Sequence, residues 1–237
     1  MISEKVAALL ERLFPEGAHA EVEAGVLSGG ATVGGETVAL AGVVDGTALG
    51  VNEVVRLSRA LLEVLERQPK RPIVLLIDTR GQRMELRDEL LGLNQYLAHL
   101  CRVLEMARQR EHRLVAVVAG EALGGALIAT GLMAQEVIAL EEANPMVMPM
   151  AGIAAVTKCC TTMLEELSAR NPVFTPGADA FYRMGGIDRL RPADPAAALA
   201  EALNEPVRLA DHRAAQGEGR GGRTKARNVA ERVVALP

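Results

Sequence analysis

The residues with the clearest capacity for chemistry are glycines. In Val118-Ala119-Gly120-Glu121-Ala122-Leu123-Gly124-Gly125-Ala126 an apolar run leads into a stretch of small residues. A glycine-rich loop between a buried strand and a helix presents unpaired backbone N–H groups, which bind anions or a developing oxyanion. Gly124 and Gly125 allow the backbone to approach a carbonyl that a Cβ would hold off. The plainer alternative is a small-residue helix packed tightly on its sheet. The segment is not a G-x-G-x-x-G fingerprint and lacks the lysine of a phosphate-binding P-loop. A second candidate, Asp78-Thr79-Arg80-Gly81-Gln82, follows another apolar run, at the strand end where ligands bind in open α/β sheets. If the Gly81 loop faces Gly124-Gly125 across one pocket, N–H groups from the two loops stabilise a developing oxyanion, and Arg80 stands beside the substrate. Asp78 reads equally as a turn former and Arg80 as a solvated charge.

Other chemistries find little support. No G-x-S-x-G elbow exists, and Ser3, Ser28, Ser58 and Ser168 lie outside glycine-flanked turns. His19, His99, His112 and His212 have no metal-ligand spacing, which argues against a metal site. Cys101, Cys159 and Cys160 make neither a C-x-x-C pair nor an even disulfide framework, as suits a reducing cytoplasm.

The elements that must hold the two loops are legible from periodicity. Thr37–Val44, Pro72–Asp78 and Leu114–Ala119 are almost wholly apolar, as in strands covered on both faces of a parallel sheet. Val137–Leu140 and Met146–Met150 read as shorter strands. Between them come a helix capped by Asn52 and running to Arg67, and a long helix over Arg87–Arg110. Its seam of Leu86, Leu90, Leu93, Leu97, Leu100 and Leu104 is core or a subunit contact. A small-residue helix then runs to about Ala134, and another over Ala151–Ala169 carries Lys158 near its middle. Repeated β-then-α crossovers imply a mainly parallel sheet with right-handed connections. The whole, residues 1–237, reads as one domain. It has an amphipathic helix and a glycine-rich loop over 1–36, a core over 37–190, and a polar helical extension over 191–237. Within that extension, Gly217–Arg227 carries Arg220, Arg223, Lys225 and Arg227; it is either a phosphate-neutralising patch for an acyl carrier or coenzyme A, or a flexible solvated loop.

Composition narrows the class. In a chain of 237 residues, 26 basic against 30 acidic residues give a net charge of −4, so no global field draws it to nucleic acid. No apolar run approaches the roughly 18 residues of a membrane span. With no Trp, three Phe and two Tyr, stacking on bases is disfavoured. The leucine seam and the cluster of Met146, Met148 and Met150 suggest surface meant for burial against a partner.

The order of these motifs resembles a known family. Ile77-Asp78-Thr79-Arg80-Gly81, the long helix, the strand to Ala119, Gly120–Leu127 and Pro149-Met150-Ala151-Gly152 are similar to the alpha-type half of biotin-dependent carboxyltransferases. Lys158 and Met184-Gly185-Gly186-Ile187-Asp188 extend the likeness over about residues 37–190. Within that superfamily the chain resembles malonate decarboxylase gamma subunits, through its N-terminal helix, Val43–Gly50 and its basic tail. The resemblance implies a crotonase-like fold of repeated β-β-α units and a carboxy-lyase subunit. It also implies a beta subunit as partner, with malonyl thioester carried on the phosphopantetheine-type arm of an acyl carrier protein served by a transferase subunit. Gly81, Gly124 and Gly125 would then be catalytic, and Arg80, Met150 and Ala151 would bind substrate. No cofactor would be held by the chain itself. Arg80 in place of the usual Pro, and Glu121-Ala122-Leu123 in place of a glycine-rich loop, argue against a biotin pocket, as does the lack of any Met-flanked lysine. The alternatives are a biotin-dependent carboxyltransferase alpha subunit and a catalytically silent scaffold.

Overall fold

The computed structural model describes residues 2–235; Met1 and Pro237, the outer limits of the expected domain, lie outside them. Three long strands form the centre of the sheet: β3 (Glu36–Gly46), β4 (Ile73–Thr79) and β5 (Leu114–Leu123). They run parallel, with Ala39 opposite Ile73 and Ile73 opposite Leu114. Their Val, Ile and Leu side chains are buried on both faces, which accounts for sequence runs that never alternate. Ala39, Ala41, Ile73, Leu75, Ile77, Ala116 and Val118 face the helices α2 (Val51–Arg67) and α4 (Leu93–Gln109). Leu40, Val74, Leu76, Val115 and Val117 face α1 (Glu4–Leu13) and α9 (Pro195–Asn204). The sheet extends through β6 (Glu136–Ala139) to β8 (Arg189–Leu190), while β7 (Asn144–Met146) pairs with the far end of β5.

Several expectations are corrected. The glycine-rich stretch is not a loop: β1 (Ala18–Glu23) and β2 (Val26–Val33) form an antiparallel extension on β3. Its glycines serve close approach, since a Cβ at Gly29 would lie 2.1 Å from the His19 carbonyl oxygen. Asn52 does not cap α2. Gly50 does, with Glu53 Oε2 accepting from the Gly50 N–H at 3.0 Å and Asp88 Oδ1 from the Val51 N–H at 2.7 Å. The long helix is two: α3 (Leu86–Leu90) ends at Gly92, whose φ of +77° belongs to the left-handed region that glycine tolerates. Leu86 and Leu90 are consequently exposed while Leu93, Leu100 and Leu104 are core, so the seam does not continue. The segment Gly120–Leu123 prolongs β5 instead of looping, and the following helix α5 is short, Gly124–Ala129. Met148 to Met150 is not strand; helices α6 (Met150–Thr157) and α7 (Thr161–Arg170) are separated at Lys158, again at positive φ.

The C-terminal segment is docked, not loose. After α8 (Ala178–Arg183), the helix α10 (Arg213–Gly219) and its continuation press onto the turn that follows α8. A Cβ at Gly222 would lie 2.1 Å from the Arg183 carbonyl oxygen. Arg220 donates to the carbonyls of Tyr182 at 2.8 Å and Ile187 at 2.6 Å, and its guanidinium lies 3.8 Å from the Tyr182 ring centroid. Arg227, on the last helix α11 (Ala226–Val234), pairs with Glu218 at 2.8 Å. Arg220 is thereby spent on internal contacts and is neither a free phosphate ligand nor part of a flexible solvated loop, whereas Arg227 keeps a largely exposed ion pair within the segment itself. Arg220→Ala should lower stability by about 2–4 kcal/mol, the worth of its charge-assisted bonds and ring contact, in a denaturant titration. Faster proteolysis beyond residue 210 should accompany the loss.

Candidate functional site

At the carboxyl end of β4 three successive side chains are sent to different places. Asp78 turns to the α1 face, where Lys5 Nζ meets its Oδ2 at 2.5 Å, and that hydrogen bond holds the Lys5 pKa above its ordinary value. Gly120 makes room for it, because a Cβ there would lie 2.4 Å from Asp78 Oδ1. Thr79, fully buried, donates to the Thr47 carbonyl at 2.6 Å and accepts from the Gly81 N–H at 3.2 Å. Arg80 is exposed and donates through Nε to the Gly46 carbonyl at 2.8 Å.

The chain then turns at Gly81, φ +98°, and is zipped to the segment before α2. Leu49 N–H donates to the Gly81 carbonyl at 2.9 Å and Arg83 N–H to the Leu49 carbonyl at 2.7 Å. The Arg83 guanidinium reaches the buried Glu53 carboxylate at 3.1 Å and the Ala48 carbonyl at 3.3 Å. Glu53, Arg83 and Asp88 surround Gly50, where a Cβ would lie within 3 Å of all three side chains. This polar knot fixes the Gly81 loop against the rest of the domain.

Across from it β5 ends at Leu123, and Gly124, φ +55°, swings the backbone into α5. The two loops are in contact. A Cβ on Gly81 would lie 3.3 Å from Leu123 Cβ, one on Gly124 would lie 2.7 Å from Gln82 Oε1, and Gly125 N–H donates to Gln82 Oε1 at 2.9 Å. The expected juxtaposition of Gly81 with Gly124-Gly125 is therefore present. What sequence reasoning missed is Gln82, whose amide oxygen takes the Gly125 N–H, and the knot of Glu53, Arg83 and Asp88 behind the loop. Glu53, three residues after Gly50, was the available signal, because a Glu at that position reaches back to the cap N–H.

The other expected site residues lie further off. Arg80 bonds to β3 instead of turning to Gly124 or Gly125. Met150 and Ala151 open α6, a helix with no buried residue, and the Val147 carbonyl before it lies 3.5 Å from where a Gly124 Cβ would stand. In the segments that flank the loops Met84, Leu86, Leu90, Ile128 and Val147 are between 47% and 79% exposed, interspersed with the exposed Arg80, Glu85, Arg87, Glu89 and Glu121. Among the described residues no group of three or more His, Cys, Asp or Glu could hold a metal ion, and no helix is long and apolar enough to cross a membrane.

Comparison with known proteins bears on the fold and the family. The structure superposes on the Pseudomonas malonate decarboxylase hetero-tetramer in complex with coenzyme A with a TM-score of 0.82, at 24% identity over 98% of each chain. For the Pseudomonas MdcD-MdcE hetero-dimer the TM-score is 0.76, at 25% identity, covering 97% of this chain and 100% of that one. The transcarboxylase 12S core, at 19% identity and a TM-score of 0.71, shares the crotonase-type carboxyltransferase fold over 87% of this chain and 43% of its own. In sequence, the chain is 34% identical over 151 residues to the malonyl-S-ACP:biotin-protein carboxyltransferase MADD of Malonomonas rubra. That match takes in 60% of this chain and 52% of the relative, so the chain spans about half the length of the curated relative it matches. The model of the malonate decarboxylase gamma subunit family matches residues 44–237, from the end of β3 through the glycine loops to the docked C-terminal helices, and the chain belongs to that family.

Proposed function

We propose that this chain works as one half of a decarboxylase site, paired with a beta subunit, in which malonyl thioester on an acyl carrier protein yields acetyl thioester and CO2. The observation that carries the reading is the meeting of the Gly81 and Gly124-Gly125 loops at the carboxyl ends of β4 and β5, with a backbone N–H directed at an oxygen. In this structure that oxygen is Gln82 Oε1; in the proposed reaction the thioester carbonyl takes its place. As the bond between the α-carbon and the carboxylate breaks, its electron pair passes into the thioester and places charge on that oxygen. A preorganised N–H meets it there, and the α-carbon is then protonated.

Family membership supports this reading, as do the exposed apolar side chains Met84, Leu86, Leu90, Ile128 and Val147, which suit coverage by a second subunit. The Pseudomonas relatives are a hetero-dimer and a hetero-tetramer, the latter with coenzyme A, whose arm has the chemistry of a carrier-bound phosphopantetheine. A transferase subunit would load the carrier, and the setting would be the cytoplasm. No biotin or metal enters the proposed chemistry. The Malonomonas relative's name favours a second reading, in which the carboxyl group passes to biotin on a protein in place of leaving as CO2.

The test is co-expression with a beta-type chain. One sedimenting species that converts malonyl to acetyl thioester, read by the mass of the carrier arm, is expected, and an isolated chain of full activity would contradict it. Within that complex Arg83→Ala should cost more turnover than Arg80→Ala. A misplaced loop costs on the order of 10²-fold, whereas Arg80 contributes one exposed bond to Gly46. Equal, small losses would separate the polar knot from the reaction.

A further inference from the structure

An oxygen that takes up charge is held better by two donors than by one. The backbone N–H expected from the Gly81 loop is spent inside that loop, donating to Thr79 Oγ1 at 3.2 Å. What the loop sends across instead is a side chain. Gln82 Oε1 accepts from the Gly125 N–H at 2.9 Å and lies 2.7 Å from where a Gly124 Cβ would stand, so a side chain at 124 would push it out. We infer, on the decarboxylase reading above, that Gln82 is a catalytic residue whose carboxamide is the second donor to the thioester oxygen. Two observations carry this. Gln82 Nε2 has no hydrogen-bond partner among the described residues and is not sealed from solvent, so an unused donor stands beside the Gly125 N–H. The backbone on either side is pinned: the Gly81 carbonyl accepts from the Leu49 N–H at 2.9 Å, and the Arg83 N–H donates to the Leu49 carbonyl at 2.7 Å. Only the side-chain torsions of Gln82 are left to move, and the last of them is broad and roughly two-fold. A thioester carbonyl that takes the Gly125 N–H displaces Oε1, and the amide, turned end for end, donates Nε2–H to the same oxygen. Both bonds strengthen as charge grows there. An amide can do this because it carries an acceptor for Gly125 and a donor for the substrate on one group.

The experiment uses the assembled complex with two variants of nearly the same length as glutamine. Gln82→Glu keeps an acceptor for the Gly125 N–H, and with it the contact between the loops, but has no donor; Gln82→Met has neither. With the complex intact by sedimentation, both should lower kcat for malonyl thioester on the order of 10²-fold, the effect of removing one oxyanion-hole donor. In Gln82→Met, KM should stay level or fall, because substrate no longer competes with Oε1 for Gly125. Infrared spectroscopy of acetyl coenzyme A carrying carbon-13 at its carbonyl reads the same contact without turnover. The carbonyl stretch should be lowered on binding to the wild-type complex and lowered less in Gln82→Met. A Gln82→Glu complex that keeps about a third or more of the wild-type kcat, against that expected loss, would overturn the assignment and leave Gln82 a staple between the loops. So would a loss confined to KM, or the same carbonyl stretch in wild type and Gln82→Met. A wild-type complex that shows the Gln82-dependent stretch yet releases no CO2 from malonyl thioester would sustain the donor and overturn the decarboxylase reading instead.

Discussion

In an assembled complex, Gly125→Val keeps the backbone N–H but sets a β-branched side chain where the substrate oxygen must approach it, and is expected to lose activity by a factor on the order of 10²–10³, about 3–4 kcal/mol, as when one oxyanion donor is put out of reach. The added side chain starts 3.3 Å from Gln82 Oε1 and 3.8 Å from Leu97 Cδ1, both ends of side chains that can shift. The stability cost should therefore stay within the roughly 1–3 kcal/mol of ordinary overpacking. Chemistry fails before folding. Sedimentation and melting establish that the complex is intact, and turnover of malonyl thioester then reads the site alone. An intact complex that keeps a third or more of its activity would make the glycine pair a packing device and favour the scaffold reading.

Glu136→Ala is expected to act in the opposite sense, on stability and not on turnover per folded molecule. Glu136 is buried on β6 and accepts from Arg113 at 2.6 Å and from Arg189 at 2.5 Å. Arg113 also donates to the Ala202 carbonyl at 2.9 Å, joining α9 to the sheet. Burial pushes the Arg113 pKa down and the Glu136 charge pushes it back up. An arginine stays charged regardless, so removing Glu136 leaves a buried cation without its partner. That should cost about 3–5 kcal/mol, and at a few degrees per kcal/mol a drop in melting temperature of roughly 10 °C follows. Replacing Arg113 and Glu136 together by apolar residues of similar volume should recover much of it. A loss below about 1 kcal/mol would mean that the cluster is solvated like a surface pair.

What the sequence disclosed, and what it hid, follows from the range of the forces involved. The central strands were legible because a strand buried on both faces must be apolar at every position, and Ile73–Ile77 and Leu114–Ala119 are. The facing of Gly81 and Gly124 was legible because adjacent parallel strands bring their carboxyl ends together. The β1–β2 hairpin was not, since its Gly29 is required by contact with the His19 backbone, and glycine there reads as a loop. The cap of α2 was misread because one of its acceptors comes from Asp88, 37 residues away. Gln82 gave no local signal at all; an amide shows its partner only once the Gly125 N–H is in place. The tail's glycines and arginines have the composition of a mobile segment, and only the carbonyls of Tyr182 and Ile187 explain them.

The most direct measurement is release of labelled CO2 from malonyl thioester, with the label in the free carboxylate, by the complex of this chain with its beta-type partner and saturating avidin. Decarboxylation by the shared site predicts stoichiometric labelled CO2 at the same rate with and without avidin, and none from either chain alone. Release that stops when avidin is added, with label recovered on a biotin protein in its absence, would contradict the proposal and establish the carboxyltransferase reading in its place.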